Sequence, residues 1–193
     1  MERSLSPSGI GGVRRLLRDL AAVDQAVYDA VARQETPALD RPLRELSNLA
    51  NRSLLWMAIA AVLASLGGPN GRRAARDGLT ALAVTSALTN IILKLAVRRP
   101  RPEREDQSDQ SVEVRMPRSH SFPSGHSASA FAFATAAGNE LPIAAVPLEA
   151  LAAAVAYSRV HSGVHYPSDV IVGSLVGALT GRQVGRVLRS TLR

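Results

Sequence analysis

The sequence predicts an all-α fold: an integral membrane helical bundle of about five transmembrane helices, with an N-terminal amphipathic helix at the membrane interface. Apolar stretches predict the bundle, because five of them occur in a chain of only 193 residues. Alanine, glycine and serine within these stretches suit close packing of helix on helix. A soluble all-α bundle is the alternative, and so much apolar sequence would leave it little polar surface.

Composition divides the chain into three regions. Residues 1–12 are rich in serine, glycine and proline and are predicted to be a flexible N-terminus. Residues 13–52 are predicted to hold the amphipathic interfacial helix and a connector. Residues 53–193 contain the apolar stretches and form the transmembrane domain. A secretory signal is not expected, because no apolar core follows the first residues.

The first helix is predicted over residues 13–34, where apolar side chains recur at helical spacing between arginines and aspartates. Asp19, Asp24 and Asp29 argue against a membrane span. A helix lying in the membrane interface is therefore favoured, and an ordinary soluble surface helix is the alternative.

The candidate spans follow from residue 53 onward. Several are shorter than the roughly 20 apolar residues that a lone span needs, so they are expected to pack together. Gly138–Glu140 breaks the longest apolar run into two helices. The segments are 53–67, 79–97, 127–158 with its internal break, and 169–181.

Charge and cysteine content narrow the possible partners. The chain has no cysteine, which excludes a disulfide framework and cysteine-based metal or redox chemistry. Its net charge of +7 favours an anionic partner, such as an acidic membrane surface or a phosphorylated substrate. Nucleic acid is not expected, because no basic patch is interleaved with aromatic residues. Of the 23 basic residues, Lys94 is the one lysine. Either this position needs a compact charge, or the excess of arginine reflects codon bias.

The loops give a weak prediction of orientation. If the five segments alternate, residues 68–78, residues 138–142 and the C-terminal tail share one side, where seven arginines face two acidic residues. Residues 98–126 and 158–169 share the other side, where seven arginines face six acidic residues. Equal arginine counts do not separate the sides. If the arginines of the second side are held there by function, a cytoplasmic tail is weakly favoured. The second side would then face outside a bacterial plasma membrane.

All four histidines lie on that second side, together with the end of the helix that carries Lys94. The first motif there is KLAVRRPRP, residues 94–102. A lysine this far into an apolar helix is costly and usually functional, although a snorkelling lysine is the simpler reading. Pro100 and Pro102 end the helix, so Arg101 lies beyond it. An ammonium and a guanidinium aimed at one place suit a phosphate.

The second motif is HSFPSGHSAS, residues 120–129. Its Pro-Ser-Gly turn leads directly into an apolar helix, and the free backbone N–H groups of Ser124 and Gly125 would form an anion pocket at the helix start. His126 sits at the edge of that pocket, where it could deliver a proton. The alternative is a capped helix start beside a spare histidine.

The third motif is SRVHSGVHYPSD, residues 158–169. Arg159 could bind phosphate oxygens, and Asp169 could orient His165, which makes the free ring nitrogen a better nucleophile or base. A capping aspartate beside a solvent histidine is the simpler reading. His161 and His165 could instead be zinc ligands on one helix face, but that site needs further ligands and has no cysteine to use.

The spacing within the three motifs is specific. Six residues separate Lys94 from Arg101, Pro-Ser-Gly-His is intact, and five residues separate Arg159 from His165. Together the motifs resemble those of the type-2 phosphatidic acid phosphatase superfamily, membrane lipid phosphatases that share their site with vanadium haloperoxidases. The resemblance covers about residues 94–181, and the first 50 residues carry no signature.

The resemblance implies an enzyme that uses no metal and no other cofactor. It implies that His165 attacks phosphorus and forms a phosphohistidine, that Asp169 orients His165, and that His126 protonates the departing oxygen. The groups expected to hold the phosphoryl oxygens are Lys94, Arg101, Arg159 and the backbone of Ser124 and Gly125. Such a concentration of cations agrees with phosphoryl transfer, in which electrostatic positioning is the main task.

The expected function is therefore hydrolysis of a lipid phosphate monoester or diphosphate. A polyprenyl diphosphate, such as undecaprenyl diphosphate, or a polyprenyl-phosphate-linked sugar of cell-envelope synthesis is favoured, and phosphatidic acid or phosphatidylglycerol phosphate is the alternative. A haloperoxidase and a non-enzymatic protein that binds anionic lipid are remote alternatives. Loop 103–118 is expected at the entrance. His161 matches no signature position and is expected to line the pocket or its rim.

Overall fold

The computed structural model describes residues 7–34, 36–102 and 119–192, and the regular elements within these ranges are all helical. A 3-10 turn, Asn51–Ser53, joins the second helix to the third, and a π-helical segment, Leu88–Leu93, joins the fourth to the fifth. In chain order the α-helices are α1 (Pro7–Ala32), α2 (Pro37–Ala50), α3 (Leu54–Leu66), α4 (Gly68–Ala87), α5 (Lys94–Ala96), α6 (Gly125–Glu140), α7 (Pro142–His161) and α8 (Pro167–Leu192).

Helix α6 forms the centre of the bundle, with α4, α7 and α8 packed around it. Its alanines and Phe133 are fully buried. Two glycines let α8 lie directly on its backbone, since a Cβ at Gly177 would be 2.1 Å from the Ala128 carbonyl oxygen and one at Gly173 would be 2.5 Å from that of Ser124. This contact brings the start of α8 against the start of α6, where the second and third motifs lie.

The sequence sets the ends of these helices by ordinary capping chemistry. The Ser124 hydroxyl accepts a hydrogen bond from the backbone N–H of Ser127, which caps α6. Pro142 and Pro167 occupy the first turns of α7 and α8, where the missing N–H costs nothing. The proposed motif residues are therefore attached to well-defined helix ends.

Apolar side chains cover the outside of the bundle as well as its core. Ile91 is 64% exposed, Ile143 85% and Leu179 59%, which fits a surface that faces lipid. By length and composition, Gly68–Ala96 and Pro142–His161 can each cross a membrane. Helices α2 and α3, bent by 75° at their junction, would add a third span if they act together.

The expected five apolar segments are all helical, but the count of five transmembrane helices is not confirmed. Helix α3 has 13 residues and α6 has 16, which is short of the roughly 20 that a lone span needs. Because most residues of α6 are buried among other helices, this helix does not need an apolar surface that faces lipid along its length.

The N-terminal region departs from the prediction in two places. Helix α1 begins at Pro7 and not at residue 13, and residues 1–6 lie outside the described part of the chain. The expected connector contains a full helix, α2. This helix was not predicted, because proline usually marks a break in a helix and the segment contains Pro37 and Pro42. In the structure Pro37 occupies the first turn, where proline is tolerated.

Candidate active site

A pocket of about 260 Å³ lies at one end of the bundle, where α5, the start of α6 and the loop between α7 and α8 meet. Five residues of the predicted site line it: Lys94, Arg101, Gly125, His126 and His165. The three motifs, which are up to 75 residues apart in the chain, are thus brought to one place.

His165 lies in the short segment between α7 and α8 and is 1% exposed. Its Nε2 atom is 3.2 Å from Nη1 of Arg101, and its Nδ1 atom is 3.5 Å from Oδ2 of Asp169. The second distance exceeds a good hydrogen bond, so the pair is close but not tightly bonded. Asp169 is fully buried in the first turn of α8, and its Oδ2 also accepts from the Tyr166 N–H at 3.0 Å. The carboxylate is therefore held firmly beside the ring.

Burial, together with the charges of Arg101 and Arg159, lowers the pKa of His165 from 6.5 to about 4, while Asp169 opposes the change. The ring is therefore neutral near pH 7. With Nδ1 protonated toward Asp169, Nε2 keeps its lone pair on the side of Arg101, and an unprotonated nitrogen is the form that a nucleophile requires.

Two cations meet beside His165. Arg101 donates from Nη1 to the Val164 carbonyl oxygen at 2.6 Å and from Nε to the Ser119 carbonyl oxygen at 2.9 Å. Lys94 donates from Nζ to the Ser119 hydroxyl at 3.2 Å. Backbone acceptors thus fix the guanidinium, and the ammonium reaches the same pocket from α5. A phosphoryl group in the pocket would contact both charges.

The π-helical segment Leu88–Leu93 positions this lysine. A π-helical turn is rare and commonly occurs at functional sites, because it rotates the residues that follow it. Asn90 and Lys94 both end close to Gly125: a Cβ added to Gly125 would lie 3.4 Å from Oδ1 of Asn90 and 3.7 Å from Nζ of Lys94. The missing side chain at Gly125 therefore leaves space between the lysine and the start of α6.

His126 lies in the first turn of α6, and its Nε2 is 3.0 Å from Oδ1 of Asn51. Asn51 follows directly after α2, in the region that was predicted to be a connector. The ring edge that would deliver a proton is therefore in contact with a carboxamide. A substrate that uses this proton has to displace or share Asn51.

Three predicted residues do not face the pocket as expected. Ser124 is fully buried, and its backbone N–H donates to the Asp169 carbonyl oxygen at 2.9 Å, so Gly125 is the residue of the turn that faces the space. Arg159 is 1% exposed and donates from Nη1 to the Ser47 hydroxyl of α2. Both lie behind the pocket wall, because helix packing at the start of α6 and over α7 covers them.

His161 is the third of these residues. Its Nε2 is 2.9 Å from Oδ1 of Asp40 in α2, and it is absent from the residues that line the pocket. His161 was expected to line the pocket or its rim, whereas the structure places it against α2. Its partner, Asp40, belongs to α2, the helix that was not predicted from the sequence.

Comparison with known proteins decides the family. The model of the PAP2 superfamily matches residues 75–189, which includes all three motifs. The chain belongs to the PAP2 superfamily. This agrees with the resemblance seen in the sequence, and the chain is accordingly an integral membrane lipid phosphatase.

Similar proteins include the decaprenylphosphoryl-5-phosphoribose phosphatases of Mycobacterium tuberculosis and Mycolicibacterium smegmatis. The first is 36% identical over 163 residues, covering 82% of this chain and 85% of the relative. The second is 36% identical over 152 residues, covering 79% of each. This PAP2 chain therefore aligns with most of the length of both enzymes.

Two solved structures share the fold. The PAP2-type phosphatidylglycerolphosphate phosphatase of Bacillus subtilis has a TM-score of 0.68 and 25% identity, covering 90% of this chain and 88% of its own. Aquifex aeolicus LpxE has a TM-score of 0.64 and 26% identity, covering 84% of this chain and 94% of its own. Both matches extend well beyond the motifs, to the arrangement of the helices.

The contribution of α2 to the site was not predicted from the sequence. Asp40, Ser47 and Asn51 contact His161, Arg159 and His126, respectively. Their spacings of seven and four residues place them on one helix face, and that periodicity was the available signal. Loop 103–118, expected at the entrance, lies outside the described residues.

Proposed function

We propose that this PAP2 enzyme hydrolyses its lipid phosphate through a phosphohistidine on His165, without a metal. Nε2 of His165 attacks phosphorus, the bond from phosphorus to the lipid oxygen breaks, and that oxygen takes a proton from His126. His126 enters this step as the imidazolium, which the negative charge of the bound phosphate favours. A water molecule then attacks phosphorus, the P–N bond breaks, and His126 accepts the proton of the water. Inorganic phosphate leaves, and both histidines return to their starting forms.

One observation carries this mechanism: the 3.2 Å separation between Nε2 of His165 and Nη1 of Arg101. A phosphoryl group held by Arg101 and Lys94 would have its phosphorus next to the histidine lone pair, which is the near-attack arrangement. The same cations would stabilise the charge on the equatorial oxygens in the transition state.

We further propose that the substrate is a polyprenyl-phosphate-linked sugar phosphate. The relatives at 36% identity are named for such a lipid, decaprenylphosphoryl-5-phosphoribose. The pocket supports this, because its wall beyond the cations presents several hydroxyl groups and one carboxamide, which can bind sugar hydroxyls. These polar residues are Ser53, Ser86, Asn90, Ser119 and Ser129.

A panel of pure lipids in detergent tests the substrate, with phosphate release measured for each. A polyprenyl-phosphoryl sugar phosphate is expected to have the highest kcat/KM, above a polyprenyl diphosphate and phosphatidylglycerol phosphate, and EDTA is expected to have no effect. The Asn90→Ala variant should lose activity on the sugar substrate by about tenfold and keep its activity on the diphosphate.

The second candidate, phosphatidylglycerol phosphate, is favoured by the fold match to the Bacillus subtilis enzyme. A higher kcat/KM for that lipid, with no selective effect of Asn90→Ala, would overturn the sugar proposal. Complete loss of activity with EDTA that added metal restores would overturn the metal-free mechanism.

We also propose that the site faces the outside of a bacterial plasma membrane, because the arginines at the site end are held there by function and so do not mark a cytoplasmic side. Because the chain has no cysteine, single cysteines report its orientation directly. Arg98→Cys, at the exposed site end, should react with a membrane-impermeant thiol reagent on intact cells, and Ser190→Cys, in α8, only after permeabilisation. The reverse pattern would overturn the proposed orientation.

A further inference from the structure

A buried carboxylate of helix α1 contacts the start of α8. Asp24 is 7% exposed, and its Oδ1 accepts from the Ser168 backbone N–H at 2.8 Å. Its Oδ2 accepts from the Ser168 hydroxyl at 2.6 Å and from Nη2 of Arg99 at 2.6 Å. These bonds, outweighing the effect of burial, hold the pKa of Asp24 below its ordinary value. Asp24 is therefore ionised at neutral pH.

The same arginine contacts the predicted partner of the nucleophile. Nη1 of Arg99 donates to Oδ1 of Asp169 at 2.9 Å and to the Ser168 hydroxyl at 2.7 Å. The guanidinium also lies over the ring of Tyr166, 4.0 Å from its centroid. The contacts thus form a continuous series from Asp24 through Arg99 and Asp169 to His165.

Charge balance gives Asp24 a role in this series. His165 is already surrounded by the positive charges of Arg101 and Arg159, and Arg99 adds a third on the far side of Asp169. If Arg99 were paired with Asp169 alone, its positive charge would offset more of the negative charge of that carboxylate. Asp169 would then attract the Nδ1 proton of His165 less strongly. Asp24 shares Arg99 and leaves Asp169 free to act on the histidine.

We infer that Asp24 is a positioning residue for the His165–Asp169 pair, so that the N-terminal helix completes the active site. It lies 70 residues before the first motif, outside the segment matched by the family model. The inference rests on the proposed role of His165 as the nucleophile. Asp24 acts through Arg99 and through the first turn of α8, and it does not touch the substrate pocket.

The test compares Asp24→Asn with Asp29→Asn in the full-length enzyme. Asparagine keeps the shape and one acceptor oxygen at position 24, removes the charge, and replaces the other acceptor oxygen with an NH2 group. Asp29 is a matched control on the same helix, since its carboxylate accepts from Gln25 and pairs with Arg33 at the surface. We expect Asp24→Asn to lower kcat by about tenfold with KM unchanged, and Asp29→Asn to change neither.

Inhibition constants distinguish an effect on the position of His165 from a loss of folded enzyme, because they do not depend on the fraction of the enzyme that is active. Orthovanadate can become five-coordinate with Nε2 of His165, whereas inorganic phosphate binds the cations alone. Asp24→Asn should therefore weaken vanadate inhibition by about tenfold and leave phosphate inhibition unchanged, and Asp24→Glu should restore part of the difference.

Three outcomes can be distinguished. An unchanged ratio of the vanadate and phosphate inhibition constants in Asp24→Asn, in an enzyme that His165→Ala inactivates, would overturn the role of Asp24. Retained activity in His165→Ala would overturn the proposed mechanism itself. A double variant that combines Asp24→Asn with Arg99→Gln should be no slower than Asp24→Asn alone, since the unbalanced charge is then gone, and simple additivity would contradict the inference.

Discussion

At His165, the ring is held between the guanidinium of Arg101 and the carboxylate of Asp169, with 1% of the residue exposed. Burial and the nearby arginines keep the ring neutral, while the carboxylate directs its remaining proton. A histidine with an ordinary pKa would be partly protonated just below neutral pH and would lose its lone pair. The surroundings of this residue therefore extend the pH range in which it can attack phosphorus.

Titration of His165 by NMR of histidine-labelled enzyme checks this effect, with His165→Ala assigning the resonance. The pKa of His165 lies below its unfolded value of about 6.5, so the ring should stay neutral as the pH falls from 7 to 5 and charge only near pH 4. Arg101→Gln removes a repelling charge and should raise the midpoint. A midpoint near 6.5 in the unmodified enzyme would contradict the account.

Among individual residues, those of the three motifs could be predicted from the sequence, whereas the residues that contact them from α1 and α2 could not. Lys94, Arg101, His126 and His165 occur at fixed spacings and line one pocket. Asp24, in contrast, reaches its partner Ser168 across 144 residues of sequence. Such a contact depends on how α1 packs, which no local pattern specifies.

Among the elements, the contact of α6 with α8 matters most for the site, because it joins the second and third motifs. The two helices approach closely where α8 has glycine, so the backbone of one lies on the backbone of the other. The Ser124 N–H then donates to the Asp169 carbonyl oxygen, which ties the two helix starts together. Packing along the bundle thus determines the position of Asp169 beside His165.

Gly177→Ala tests this contact, with Gly185→Ala as the control on the same helix. The new methyl group at 177 would meet the Ala128 carbonyl oxygen at 2.1 Å, whereas at 185 it would meet only the side chain of Arg189 at 3.4 Å. Gly177→Ala should destabilise the detergent-solubilised enzyme by about 1–3 kcal/mol and lower kcat. Gly185→Ala should be neutral or slightly stabilising. Equal thermal stability of the two variants would contradict close packing at Gly177.

Apolar patterning predicted the positions of the bundle helices, because a helix that meets lipid or other helices needs a long apolar stretch. It did not predict α2, whose prolines suggest a break, or the π-helical segment before Lys94, which has no composition of its own. The helix boundaries that could be predicted were those with capping residues, such as Ser124 and Pro167.

Over the whole molecule, charged groups concentrate at the two ends of the bundle. The pocket and its cations lie at one end, and Glu140 pairs with Arg73 and Arg189 at the other. Exposed leucine, isoleucine and valine side chains cover the helices between them. A lipid substrate could therefore keep its tail in the membrane while its phosphate enters the pocket, and helices α1 and α2 pack around that end.

The most direct test of the account measures phosphate release from a polyprenyl lipid phosphate by purified His165→Ala and His161→Ala. The two histidines are four residues apart, but only His165 lines the pocket, while His161 is paired with Asp40. His165→Ala should lose at least about a thousandfold in kcat, whereas His161→Ala should keep a kcat within about tenfold of the unmodified enzyme. Full activity in His165→Ala, or an equal loss in both variants, would contradict the central claim that His165 attacks phosphorus.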